Sequence, residues 1–298
     1  MRKGESPMKS WIMLALLGTS MLTACGGKDD TNEPEQITEP PVVEEAAVTG
    51  VATALYVFDC GTIAISDLDV FASDGSYAGQ TDTFTDSCFL IRHPKGDLLW
   101  DLGLPAALVG QEPQVNEPFT VSLETSLADQ LNAIGVAPGD IDLVSISHSH
   151  FDHTGQPEAA GKALWLVHQA EYDHMFDAEN PNDYSAFEKF DTKTFTEDYD
   201  VFGDGAVRIM SLPGHTPGHT ALLVKMAETG PVLLSGDLYH RAESREGTKV
   251  PRFNTDEAMT RNSMDRFEAI AAASEALVII QHEPVDVAKL PKPPEALK

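Results

Sequence analysis

Positive charge is scarce in this chain. Its 298 residues carry 20 Lys+Arg against 47 Asp+Glu, a formal net charge of −27. Binding nucleic acid without regard to sequence needs Lys and Arg facing phosphates, and docking on anionic lipid head groups needs the same. The composition argues against both. Cysteine is scarcer still: three cysteines build neither a disulfide scaffold nor a four-thiolate zinc site. Long apolar runs and internal repeats are also lacking. The stretch from Trp11 to Leu22 falls short of the roughly 20 apolar residues that a membrane-spanning helix needs. Apolar material as a whole is ordinary in amount. At 42% hydrophobic residues the chain is not disordered throughout, and its length allows one large domain or two small ones around a packed core.

Arg2, Lys3 and Lys9 precede that short apolar run, which ends at Leu22-Thr23-Ala24-Cys25. A basic start, a short apolar centre and small residues at a cleavage point read as an export signal over residues 1–24. Small residues leading into Cys25 resemble the lipobox of bacterial lipoproteins. The resemblance implies that Cys25 becomes the lipid-bearing first residue, the chain's one attachment to a membrane. By the same pattern Gly26 directs it to the outer membrane, on its periplasmic face or its surface. The alternative is an ordinary secretory signal with a coincidental cysteine. Residues 25–50, rich in Asp, Glu, Pro and Thr, read as a flexible tether, because they cannot bury enough surface to offset their ordering entropy. Export takes Cys60 and Cys88 into an oxidising compartment, where they either pair or stay as two separate buried thiols.

From Val51 to Lys298 short β-rich runs alternate with helical patterns. Ala54 to Phe58, Cys88 to Arg92 and Leu98 to Asp101 are expected as strands, followed by Ile141 to Ser147, Ala163 to Val167, Val207 to Leu212, Thr220 to Val224, Val232 to Leu234 and Leu277 to Ile280. Thr125 is positioned to cap a helix with Leu127, Leu131 and Ile134 on one face and Gly135 as its stop. A second helix is expected around Gln169 to Met175. Asn254 or Thr255 opens a third, with Met264, Phe267, Ile270 and Ala271 on its apolar face. The polar, mixed stretch from Asp177 to Gly205 reads as an irregular insertion or flap. The class is mixed α/β, sheets covered by helices.

The chemistry gathers where apolar runs end. Ser147-His148-Ser149-His150-Phe151-Asp152-His153 puts four ligand-type side chains in six positions, and alternation lets His148 and His150 point the same way. Pro213-Gly214-His215-Thr216-Pro217-Gly218-His219 is a sharp loop after the next apolar run. Leu234-Ser235-Gly236-Asp237 and Ile280-Gln281-His282 complete the set. Singly, each is a polar strand terminus. Together they are crowded imidazoles and carboxylates that need a cation to satisfy them.

His148-x-His150-x-Asp152-His153 followed in order by His215, Asp237 and His282 resembles the metallo-β-lactamase-fold hydrolases. The likeness runs over roughly Val51 to Lys298 as a single catalytic domain. It implies an αββα sandwich with two divalent metal ions, zinc first among them, at one edge. By that resemblance His148, His150 and His215 hold one metal, Asp152, His153 and His282 hold the other, and Asp237 bridges them. It further implies a metal-bridging hydroxide that attacks a carbonyl or phosphorus, with Asp152 relaying a proton to the leaving group.

Within that superfamily the carboxylate at Asp237 argues against a true β-lactamase. The short remainder after it argues against a glyoxalase II, and the lack of an inserted domain and basic surface argues against the RNA-processing members. The chain is most similar to N-acyl homoserine lactonases of the quorum-quenching kind. Phosphotriesterases and arylesterases of the same fold are the alternative, and a non-catalytic metal-binding lipoprotein is a third. Lactonases of this kind use a tyrosine shortly after the bridging aspartate, which makes Tyr239 and His240 candidates for contact with substrate. Leu104 to Val121, with Phe187, Phe190, Phe195 and Tyr199, is expected to line an apolar groove. His93, His168, His174 and His219 are assigned to structure, His219 as a partner that orients ligands. A dimer is compatible with the sequence, which does not fix the oligomeric state.

Charge bears on the substrate as well. Arg2, Lys3 and Lys9 against Glu5 before Cys25, and Lys28 against seven acids between Gly26 and Gly50, leave a net −23 on residues 51–298. A field of that sign disfavours anionic substrates and favours small neutral or apolar ones.

Overall fold

The computed structural model describes residues 50–298. The signal assigned to residues 1–24, the lipid-bearing Cys25 and the tether as far as residue 49 lie outside the described residues.

The first sheet is built from β1 (Ala54–Ile65), β2 (Asp82–His93), β3 (Gly96–Trp100), β4 (Gln114–Asn116), β5 (Phe119–Ser122), β6 (Leu143–Ser145), β7 (Leu164–His168) and β8 (Thr192–Phe195). They are hydrogen-bonded in the order β4-β5-β1-β2-β3-β6-β7-β8. The second sheet holds β9 (Tyr199–Asp200), β10 (Val207–Ser211), β11 (Thr220–Met226), β12 (Gly230–Leu234) and β13 (Leu277–Ile279), in the order β13-β12-β11-β10-β9. Helices are α1 (Leu127–Ala133), α2 (Gln169–Met175), α3 (Ala242–Glu246), α4 (Glu257–Ser274) and α5 (Pro284–Val287).

Side-chain alternation explains how these pieces form layers. Along β2, Phe89 and Ile91 face inward and meet Val207, Ile209, Leu222, Val224, Val232 and Leu234 of the second sheet. Cys88 and Leu90 face the other way and pack with Leu127 and Leu131 of α1 and Met175 of α2. The outer face of the second sheet, through Leu223 and Leu233, takes Met264, Phe267 and Ala271 of α4. Each such side chain, fully buried, contributes roughly 1.5–3 kcal/mol. The result is helix, sheet, sheet, helix: the αββα sandwich of the metallo-β-lactamase fold.

Several boundaries differ from the sequence reading, each for a local reason. Ser126, and not Thr125, caps α1, because its side chain accepts the Asp129 amide. Asp256 caps α4 by accepting the Met259 amide; Asn254 instead spends its side-chain amide on the Gly214 carbonyl. The expected flap from Asp177 to Gly205 contains β8 and β9, so part of it extends both sheets. β1 and β2 shift register between Asp59 and Gly61, leaving Cys60 as an extra residue in a bulge. Of the two possibilities left open for the cysteines, the structure has the bond: Cys60 and Cys88 form a disulfide with Cα atoms 5.8 Å apart.

β3, β6 and β7 run parallel, as do β12 and β13, and β10 is antiparallel to the β11 that lies between it and β12. The C-terminal ends of β3, β6, β10, β12 and β13 therefore reach one edge of the sandwich. In open α/β sheets that edge is where ligands bind.

Candidate metal centre

From β6 the chain enters His148 to His153 at this edge. β10 delivers His215, β12 delivers Asp237 and β13 delivers His282. Two groups form there. His148, His150, His215 and Asp237 make one, and Asp152, His153 and His282 make the other, with ligand-type atoms within 4.8 Å of one another in each. The seven residues named from sequence are thus brought together.

Asp237 stands between the groups. Its Oδ2 lies 3.4 Å from His148 Nε2 and 3.6 Å from His215 Nε2, whereas Oδ1 lies 3.1 Å from His153 Nε2 and 2.9 Å from His282 Nε2. One carboxylate oxygen turns to each group. Gly236 makes this possible with a φ of 53°, and a Cβ there would lie 2.7 Å from His219 Nε2. His150 Nδ1 is 2.9 Å from His148 Nε2 and 3.1 Å from His215 Nε2. Asp237 Oδ1 has no aligned donor despite its close imidazoles, and His215 Nδ1 is buried without a partner. Crowded nitrogen and carboxylate lone pairs facing one another suit a divalent cation better than a hydrogen-bond network.

Electrostatics divide the groups. Burial, reinforced by neighbouring imidazoles, holds His148 and His215 well below the ordinary histidine value, and burial lowers His150. That shift favours the neutral imidazole, the form that binds a metal. Burial also opposes charge on His153 and His282, but carboxylates outweigh it. Asp237, Asp101 and Asp152 hold His153 well above its usual value, and Asp237 with Asp152 takes His282 up to about 9. Burial pushes Asp237 upward, yet His282, His153, His240 and His148 together keep its carboxyl well below the usual range. Close by, Asp86 is fully enclosed with both oxygens unpartnered, and burial and Asp152 push it well above that range.

Tyr239 and His240 separate. The backbone at Tyr239 is extended, so adjacent side chains point opposite ways. Tyr239 lies in the core beneath α4, its ring 5.6 Å from Phe267, and does not reach the cluster. His240 faces inward, with Nε2 3.0 Å from Asp237 Oδ2.

Above the two groups opens a cavity of about 260 Å³. Its walls are Ile63, Phe71, Phe84, Phe119, Phe151 and Phe253, and its floor includes His150, Asp152, Asp237, His240 and His282. The groove expected from sequence is found in part: Pro105, Leu108, Val115 and Val121 line an adjoining cavity of about 300 Å³ that shares Phe119 and Phe151 with this one. Phe195, however, belongs to the core between the sheets, and Phe190 and Tyr199 pack against cores. Phe187 lines a neighbouring cavity of about 540 Å³ instead.

Residues 82–282 match the sequence profile of the metallo-beta-lactamase superfamily. The chain belongs to that superfamily. Among curated members it is 29% identical over 262 residues to the N-acyl homoserine lactonase AttM of Rhizobium radiobacter, covering 81% of this chain and 97% of that one. To the AttM lactonase of Azorhizobium caulinodans it is 30% identical over 217 residues, covering 66% and 81%. A solved structure, that of an N-acyl homoserine lactone hydrolase with the product N-hexanoyl-L-homoserine at its catalytic metal centre, shares the fold. The TM-score is 0.73 at 23% identity, over 83% of this chain and 100% of that one.

Two supports of this superfamily site, Asp101 and Thr85, were not singled out from sequence. Asp101, in a left-handed conformation with a φ of 59°, sits at the end of β3. Its Oδ2 lies 3.1 Å from His153 Nδ1 and accepts from Gln281 Nε2 at 2.7 Å, and its Oδ1 accepts from Ser147 N at 2.5 Å. Thr85 O accepts from His282 Nδ1 at 2.8 Å. The orienting role expected of His219 has its geometry: Nε2 accepts the Asp237 amide at 3.0 Å while Nδ1 meets Leu212 O at 3.0 Å. His168 accepts the Ala170 amide at the start of α2.

Proposed function

We propose that this metal-dependent hydrolase opens neutral lactone rings of the N-acyl homoserine lactone type. One observation carries the reading: an aromatic-walled cavity opens directly onto Asp237 and the two groups it joins. An apolar acyl chain suits those walls, and the domain's negative charge favours a neutral substrate over an anionic one. Likeness to curated lactonases over 81% of the chain supports it further.

In this reading His148, His150, His215 and Asp237 would hold one divalent cation, and Asp152, His153, His282 and Asp237 another. Zinc fits an imidazole and carboxylate donor set. Two such cations supply Lewis acidity and lower the pKa of a water towards neutrality. The chain's own residues do the rest. Phe71, Phe84, Phe119 and Phe253 exclude bulk water and orient the acyl group. His240, on the cavity floor, presents its imidazole to the substrate carbonyl. Asp152, 8% exposed, would relay the proton released by the attacking water to the departing alkoxide.

The aromatic walls also favour a second reading, an aryl ester or phosphotriester whose ring stacks in the cavity. Comparing kcat/KM across lactones, aryl esters and paraoxon-like triesters separates the two. Lactone opening that disappears with a chelator and with Asp237→Ala supports the first reading; a metal-loaded protein that leaves every lactone intact overturns it. We also propose that the domain is exported and held to the outer membrane through a lipid on Cys25, a reading that the buried Cys60–Cys88 bond supports because such bonds persist in oxidising compartments.

A further inference from the structure

The third residue of α2 is a glutamate with 1% exposure. A buried carboxylate is costly unless donors surround it. Glu171 has three. Its Oε1 accepts from Ser149 N at 2.7 Å, and its Oε2 accepts from Thr216 Oγ1 at 2.7 Å and Gly218 N at 2.9 Å. Among the described residues no lysine or arginine forms an ion pair with it.

These donors belong to two loops far apart in sequence. Ser149 lies between His148 and His150, and Thr216 directly follows His215. The second loop is pressed against the helix: a Cβ on Gly218 would stand 2.3 Å from Glu171 N. All three histidines of one group thus hang from loops bolted to a single carboxylate. The other group is braced elsewhere, His153 by Asp101 and His282 by the Thr85 carbonyl.

We infer that Glu171 is a positioning residue that holds the His148–His150 loop and the His215 loop at the separation needed to bind one of the two metal ions, and that it acts far less on the second ion's group, where Asp152 and His153 continue the first loop but His153 and His282 have braces of their own. The inference rests on the reading above that the two groups hold metals. A glutamine at this position cannot substitute. Its amide nitrogen would face either the Ser149 N–H or the Thr216 and Gly218 donors, setting donor against donor.

The test is zinc retention by the full domain against a graded series of chelator concentrations, with circular dichroism as the folding control. The wild type is expected to hold two equivalents. Glu171→Gln is expected to release one of them at chelator concentrations about 10–100-fold lower, the range for loss of a ligand-orienting partner. The other equivalent is expected to move by less than about 3-fold. Thr216→Val, which removes one of the three bonds, is expected to give a smaller shift of the same equivalent, and it carries the test if Glu171→Gln does not fold. Wild-type retention of both equivalents by a folded variant overturns the inference. So does equal weakening of both, the result of a general structural role. A wild type that fails to bind two equivalents overturns the metal reading itself, which is a separate result.

Discussion

Tyr239 and His240 are chain neighbours that serve opposite faces of one strand-like segment: the phenol is buried beneath α4, and the imidazole meets Asp237 at 3.0 Å. His240→Ala is expected to lower kcat about 100-fold or more, within the range for loss of a proton-handling or carbonyl-orienting group. Zinc content should stay near that of the wild type. Tyr239→Phe should leave steady-state rates within about 2-fold, because the phenol lies in the core and does not reach the cluster. Equal losses from both variants would mean that the segment adopts a different orientation during turnover.

Asp101 accepts from Ser147 N and Gln281 Nε2 and faces His153 Nδ1, so Asp101→Asn places an amide donor among donors. Metal affinity is expected to fall about 10–100-fold, read by competition with a chromogenic chelator. An unchanged affinity would show that His153 keeps its orientation without this carboxylate.

Phe253 is 42% exposed at the mouth of the cavity, while Phe71 is enclosed deeper in its wall. Phe253→Ala should raise KM for an acyl lactone about 5–20-fold, as expected for losing part of an apolar contact, with kcat little changed. The increase should grow with acyl length. A KM independent of chain length would remove the acyl group from this wall.

Far from the metal centre, His93 stacks on Phe202 with ring centroids 4.1 Å apart and faces Asp204 at 3.3 Å. Burial holds its pKa below the ordinary value, with Asp204 acting against that shift. A histidine depressed in the folded state binds its proton more readily when unfolded. Its stabilising contribution is therefore complete above the unfolded value of about 6.5 and is lost as pH falls below it. Denaturant midpoints at pH 7.5 and 5.5 should differ less in His93→Phe, which keeps the stack, than in the wild type.

Four of the seven site residues were legible because they are local, and His215, Asp237 and His282 because each follows an apolar run. His148 to His153 form a dense run after an apolar strand; the alternation of such runs with helices gives the mixed α/β class, and the family resemblance supplies the αββα layering. The supporting carboxylate was not legible. Asp101 and Gln281 are 180 residues apart and meet only after both sheets have formed. Glu171 reads as an ordinary helix residue until its three donors are located. β8 was missed because Thr192, Lys193 and Thr194 are exposed and give no apolar alternation. The choice between Tyr239 and His240 turns on the backbone after Gly236, and residue spacing carries no information about it.

The Cys60–Cys88 bond is sealed in the layer closed by α1, both residues having 0% exposure. An oxidant has to reach those sulfurs while the layer is still open, since exchange requires access to a thiolate. Chemistry applied later, to the finished domain, arrives too late. Two molecules of identical sequence and equal compactness can therefore differ by one covalent bond, according to the surroundings in which each chain was folded. The number of thiols released on unfolding is a record of birthplace, and it is written once.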